Sequence, residues 1–250
     1  MKKISVILYF LIGMMQVLSA APTKAEADKA YQDSYYADAI EKYEAILSEE
    51  GESAELYYNL GNSYYKNKNV AKAVLNYERA LLLDPGNADA RFNLEMARSK
   101  TTDKVTPVSE VFIVTWAKAI VNWQSESQWA ICGIVSFILL LASLGMYIFG
   151  KQIVLKKIGF TGAVAFMMIT ICANLCASQQ KDELITRDGA IIMSPSITVK
   201  STPNENGTNL FVLHEGTKVY IDDNSMKAWK EIRLEDGKKG WVPTSSIEII

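Results

Sequence analysis

Histidine is almost missing from this chain: His214 stands alone in 250 residues, beside only three cysteines, Cys132, Cys172 and Cys176. The cysteines all fall inside two long apolar runs, so no disulfide framework staples the polar parts of the chain, even in an oxidising compartment. They also cannot join His214 as a nucleophile and base. Neither a phosphate-cradling glycine loop nor a cluster of metal-ligand spacing is present, so no cofactor, no metal and no catalytic residues are expected. Charge of one sign is lacking too: 26 basic residues face 28 acidic ones, for a net charge of -2. Without a basic stripe the chain offers nothing to a phosphate backbone, which excludes nucleic acid as a ligand.

What is abundant is apolar length. Residues 129–149 and 158–178 are uncharged runs of 21 residues each, separated by Gly-Lys-Gln-Ile-Val-Leu-Lys-Lys at 150–157. About 20 apolar residues rising ~1.5 Å each cross the ~30 Å hydrocarbon core with every backbone group paired internally. No polar stripe interrupts either run, which argues against a buried hairpin of a soluble protein. The connector carries Lys151, Lys156 and Lys157 and no acid, so the positive-inside rule puts it in the cytoplasm and both larger flanks on the opposite side. Gly159 and Ala163 offer a close-packing face, and Cys172 and Cys176 read as small interfacial residues. Residues 1–21, with Lys2-Lys3, an apolar stretch and Ser19-Ala20-Ala21, have the three zones of a secretory signal; an uncleaved anchor would give the same topology.

Residues 22–100 compare with themselves at a shift of 34: Ala39 with Ala73, Tyr43 with Tyr77, Leu47 with Leu81, Asn59-Leu60 with Asn93-Leu94. This period predicts helical-hairpin repeats. The middle copy, from Tyr57 through Gly61, Tyr64, Ala73, Tyr77 and Ala80 to Pro85, resembles the tetratricopeptide repeat. The copy before it has Ala27 at the glycine position, and a single helix from Ala88 to about Lys100 closes the array. The resemblance implies a concave, protein-binding face built by the first helix of each pair. Its predicted binding residues are Tyr58, Asn59, Asn62, Tyr65, Lys66, Phe92 and Asn93, with Lys24 and Asp28 beside them. Lys24 and Asn59 suit a clamp for a chaperone's terminal carboxylate, but Asp28 and Asp89 have the wrong chemistry for it.

Residues 101–128 form a linker and an apolar stretch too short to cross, whose Trp116 and Trp123, with Trp129, predict a position along the outer leaflet. A further linker at 179–187 leads to residues 188–250, where short alternating runs are punctuated by Gly, Pro, Asn and Asp. Thr217–Ile221, Trp229–Leu234 and the tight Glu235-Asp-Gly-Lys turn into Lys239–Val242 predict an all-β unit. With Val199-Lys-Ser-Thr-Pro203 and Gly240-Trp-Val242, it resembles the bacterial SH3 domain. That likeness implies a small barrel with Trp241 and Trp229 in its core and Tyr220 on its ligand surface. Bacterial SH3 domains often accompany cell-wall peptidases, but this chain lacks the residues of that chemistry.

The fold class expected is therefore multidomain: an all-α tetratricopeptide array, a two-helix transmembrane hairpin and a small all-β SH3-like barrel. In that order these parts resemble the BatE family of the Bacteroides aerotolerance operon. The resemblance implies a scaffold in the cytoplasmic membrane, with both large units on the periplasmic side. It also implies von Willebrand factor A membrane proteins of the same operon as partners, and a part in envelope or oxidative-stress tolerance. The alternatives are a membrane anchor that holds peptidoglycan through the SH3-like unit, and a peptidase accessory or enzyme.

Overall fold

The computed structural model describes residues 22–106, 108 and 111–250, so the signal read at residues 1–21 lies outside the described residues. Five helices form the array: α1 (Lys24–Gln32), α2 (Tyr36–Glu50), α3 (Ala54–Lys66), α4 (Val70–Leu83) and α5 (Ala88–Arg98). Local chemistry sets their starts. Thr23 and Glu26 close a reciprocal capping box on α1, and the Asn69 and Asn87 side chains accept from the backbone N–H of Lys72 and Ala90. The loops within the two pairs use one device: Ser34 and Lys68, 34 residues apart, both take left-handed φ values of 65° and 66°.

Antiparallel packing depends on small residues. Ala27, Ala39, Ala73 and Ala80 have no exposed surface, and a Cβ on Gly61 would lie 2.8 Å from the Tyr77 ring. Leu60, Tyr64 and Tyr77 fill the space between the helices. The two tyrosines that repeat at 34 also repeat their bonds: Tyr43 donates to Asp28 and Tyr77 to Asn62, acceptors that are themselves 34 apart.

After the array, α6 (Phe112–Val121) is apolar with no buried residue, and α7 (Glu126–Phe149) and α8 (Ile153–Thr186) form the hairpin. Both hairpin helices are long and apolar enough to cross a membrane, with mean hydropathies of 2.4 and 1.8 over their most apolar windows. Only 11% of each window is buried, whereas the core helix of a soluble protein would be mostly covered. Gly159 and Ala163 do pack against α7: a Cβ on Gly159 would come 2.6 Å from the Tyr147 backbone nitrogen. The linker expected at 179–187 is instead helix, since α8 runs unbroken to Thr186 and ends at Arg187 in a left-handed cap. Gln-Gln-Lys-Asp-Glu-Leu-Ile ends the hydropathy of the span but contains good helix formers and neither Gly nor Pro. Buried Gln180 ties this extension to the α6–α7 turn by donating to the Val121 and Gln124 carbonyls, each at 2.7 Å.

The C-terminal unit is a seven-stranded antiparallel sheet: β1 (Gly189–Ile192), β2 (Ser196–Lys200), β3 (Asn209–His214), β4 (Lys218–Asp223), β5 (Trp229–Arg233), β6 (Lys239–Pro243) and β7 (Ile247–Ile249). Its hydrogen-bonded order is β3-β2-β6-β5-β4-β1-β7, with no pairing between β3 and β7 among the described residues. The unit expected as a small SH3-like barrel is thus all-β and antiparallel, and its sheet is not closed among the described residues. Gly237, at φ 87°, makes the tight turn from β5 to β6. The core is Ile192, Val199, Leu213, Val219, Ile232, Leu234 and Val242. Trp229 and Trp241, expected inside, are half-buried on the other face. Pairing of Glu231 with Trp241 and of Ile232 with Gly240 fixes the alternation, and a Cβ on Gly240 would sit 2.4 Å from Val199, so that face has no room for an indole.

Array and sheet are not separate beads. Ile191 and Ile250 belong to the array's core cluster, and charges seal the seam. Arg79 donates to Glu248 at 3.2 Å and to the Ile249 carbonyl at 2.6 Å, and Lys218 donates to buried Glu78 at 2.7 Å while Arg98 bonds the same carboxylate. Asp103, in the strap after α5, accepts from the His214 backbone N–H and from the Thr217 hydroxyl, each at 2.7 Å, and lies 2.8 Å from the His214 ring nitrogen Nδ1. Glu52, between α2 and α3, holds both terminal nitrogens of Arg187.

Candidate functional site

On the face made by α1, α3 and α5 lies a groove of about 260 Å³ lined by Tyr31, Tyr58, Asn62, Tyr65, Lys66, Tyr77, Asn93 and Met96. Helical spacing explains the set: Tyr58, Asn62, Tyr65 and Lys66 recur at 4, 3 and 1 along one face of α3, and Tyr31 and Tyr65 are equivalent at a shift of 34. The floor is a small polar network. Asn62 Oδ1 accepts from the Tyr77 hydroxyl and from Asn93 Nδ2, each at 2.8 Å, and Asn93 Nδ2 also reaches the Tyr58 hydroxyl at 3.3 Å. That leaves Asn62 Nδ2 and Asn93 Oδ1 without partners among the described residues. One donor and one acceptor side by side are what the C=O and N–H of an extended peptide require.

Aromatic surface forms the walls. The Tyr58 and Tyr77 rings tilt against each other with centroids 6.2 Å apart, and Lys100 Nζ stands 4.3 Å over the Tyr65 ring. Burial pushes the Tyr77 phenol above its ordinary range, with neighbouring tyrosines adding to it; burial does the same to Tyr31. Both hydroxyls are therefore neutral at physiological pH, and Tyr77 remains a donor. Lys66 and Lys100 are exposed, so the rim is cationic.

Of the seven residues predicted from sequence, the groove brings together Tyr58, Asn62, Tyr65, Lys66 and Asn93. Asn59 is half-buried outside it, its carbonyl accepting from Ser63, and Phe92 is 62% exposed on α5 but does not line it. Tyr31, Tyr77 and Met96 were not anticipated as lining residues. The 34-residue shift from Tyr65 to Tyr31 carried the first; Tyr77 was read only as core, a role it shares. Lys24 is engaged by Asp28 at 2.8 Å and Glu55 at 2.9 Å, which raises its pKa, so it is committed away from any carboxylate clamp.

Tyr220 sits elsewhere. It is half-buried, with Lys218 Nζ 5.4 Å and the Arg233 guanidinium 5.2 Å from its ring centre. It lines a cavity of about 410 Å³ at the meeting of α4, α8 and the sheet, together with Glu78, Glu183 and Arg187. There burial first, and Asp188 second, push the Glu183 carboxyl up.

No curated protein matches this chain. The tetratricopeptide repeat family model matches residues 54–87, which are α3, α4 and the turn after them, so the helices carrying most of the groove are similar to a repeat that generally mediates protein–protein contact.

Proposed function

We propose that this chain is a non-enzymatic scaffold of the cytoplasmic membrane whose repeat groove captures a segment of a partner protein. The observation that carries the reading is the groove: aromatic walls, a cationic rim, and an unpartnered amide donor and acceptor on its floor, in the stretch that matches a protein-binding repeat. Such a surface suits an extended peptide with an apolar anchor and an acidic flank. The largely exposed apolar surface of α7 and α8 supports a membrane-spanning hairpin, and α6 with exposed Phe112, Trp116 and Trp123 suits the outer headgroup layer. With the Lys-rich connector inside, array and sheet both face the periplasm. The resemblance to the BatE family directs the search for partners to von Willebrand factor A membrane proteins of an aerotolerance complex.

A photo-crosslinking residue at Lys66 in native membranes is expected to capture a discrete partner, and one at Lys42, on the second helix of its pair, to capture none. Replacing Tyr65 by serine together with Lys66 by glutamate should weaken that partner's binding roughly tenfold or more, with the melting temperature unchanged. Equal capture at both positions would overturn the groove assignment.

Half-buried Trp229 and Trp241, on the outer face of a sheet we read as SH3-like, favour a second reading: a hold on peptidoglycan. Purified sacculi should then retain the wild-type chain and release a Trp241→Ala variant. Retention unaffected by the substitution argues against it.

A further inference from the structure

Along the outer half of the hairpin, one side of α7 and α8 opens into a groove of about 610 Å³, lined among others by Glu126, Gly133, Thr170, Asn174, Ser178 and Lys181. Ala130, Ile134, Phe137 and Ala177 give it apolar walls, but polar groups are set among them. Asn174 is exposed about 10 Å below Lys181 along the helix. Its amide nitrogen donates to the Thr170 carbonyl at 2.8 Å, but its Oδ1 accepts nothing among the described residues. A polar group left open in hydrocarbon is costly, and in bundles such groups face another helix. Within one chain Gly133 is buried against α8, where its Cβ would lie 3.2 Å from the Asn174 amide, so the two helices already pack closely beneath the groove. At its outer mouth Glu126, on α7, and Lys181, on α8, have no partner among the described residues.

These features point to one occupant. We propose that the groove is the seat of a second copy of this chain, the two hairpins packing face to face about a two-fold axis along the membrane normal. In such a pair the left side of each groove meets the right side of the other. Glu126 of each copy then faces Lys181 of its mate, so the acid and base that lie unpaired in one chain form two ion pairs in two. Asn174 of each copy then faces the other α7 across the seam instead of hydrocarbon. The pairing rests on the reading that α7 and α8 span the membrane.

The test uses the full-length chain in density-matched micelles, followed by sedimentation equilibrium, with carbonate extraction of the expressing membranes as the check on insertion. Wild type is expected to be in monomer–dimer equilibrium. Glu126→Lys and Lys181→Glu each place like charges at both contacts and should weaken the dimer roughly tenfold or more. An equimolar mixture of the two variants should recover dimers, because one copy then presents two bases and the other two acids. Asn174→Leu should cost roughly three- to tenfold. A purely structural role for these charges within one chain would give no recovery on mixing, and that result overturns the proposal. A carbonate-resistant wild type that stays monomeric at every concentration also overturns it, leaving the groove to a lipid or a different helix. Release of wild type by carbonate overturns the hairpin reading itself, and the pair with it.

Discussion

The 34-residue shift has its sharpest physical meaning in single side chains. Tyr43 and Tyr77 are buried at equivalent places and each gives its hydroxyl to the residue 15 before it, Asp28 in one copy and Asn62 in the next. The substitution changes the site more than the core. Burial opposes ionisation of Asp28, but bonds from Lys24 and Tyr43 outweigh it and hold the carboxyl below its ordinary range, so the first copy ends in a satisfied ionic knot. Asn62 has an amide donor left over, and the groove opens there. Gly61 was legible as the close-approach residue from its repeat position alone, and the geometry says how tight: its Cβ would press on the Tyr77 ring at 2.8 Å. Gly61→Val is therefore expected to destabilise the array by roughly 1–3 kcal/mol, read as a drop of several degrees in the helical melting transition by circular dichroism. An unchanged transition would mean the two helices have slack that this packing denies. Phe92 shows the limit of period-based reasoning, because repeat equivalence to Tyr58 fixes its helix face but not whether a following helix exists to wall the groove beyond it.

Among the elements, helices were more readable than strands because their signals are local. The caps, the glycine and the apolar runs lie within a few residues of what they specify. β1 and β7 escaped notice since each is only a few residues long and takes its meaning from the other, pairing Ala190 with Ile249 across the length of the unit. The two tryptophans were misplaced for a related reason: their face is decided by register against neighbouring strands, not by size. The continuation of α8 has mechanical content as well. With helix through Thr186 and Arg187 bonded to Glu52, the apolar hairpin, the sheet and the array are joined without a loose joint. Asp182 is exposed in that continuation, so Asp182→Pro tests the helix without emptying a core. Loss of the backbone donor and a clash with the preceding turn should cost about 3 kcal/mol locally. Trypsin is expected to cut the variant after Arg187 at least several-fold faster, the bond after Lys181 being refractory once proline follows it, with Asp182→Ala as resistant as wild type; equal resistance of the proline variant at Arg187 would show that the extension is not held as a helix.

At the scale of the whole molecule, the unexpected feature is that array and sheet share a seam, and the seam is built from carboxylates. Composition hides this, since a net charge of -2 says nothing of where 28 acids go. Burial acts on Glu78 first, raising its pKa, yet the charges of Lys218 and Arg98 outweigh it and hold the carboxyl below the ordinary value of 4.5. Asp103 follows the same logic: burial opposes ionisation, and bonds from His214 and Thr217 prevail. Glu52 is lowered chiefly by its bonds to Arg187. A carboxyl whose folded pKa is depressed contributes stability that is fully present above its unfolded value and is lost as pH falls through the folded one. What these three carboxylates contribute to the seam should therefore be fully present above about 4.5 and be lost only as pH falls below it. Glu78 is the test residue, since it is buried and grips two cations from opposite sides of the seam, Arg98 on α5 and Lys218 on β4. Glu78→Gln removes the charge but keeps the shape, leaving Lys218 with a weaker partner, and a broken buried pair of this kind costs about 3–5 kcal/mol. The variant is expected to melt several degrees lower than wild type at pH 7, and the gap should narrow as both are taken to pH 3.5, because below about 4.5 unfolding of wild type takes up a proton that folded Glu78 resists, so the charge contributes less. Thermal melts of the full chain in one detergent at pH 7, 5 and 3.5 would measure it. A gap that stays constant across the series would show that Glu78 acts through packing rather than charge.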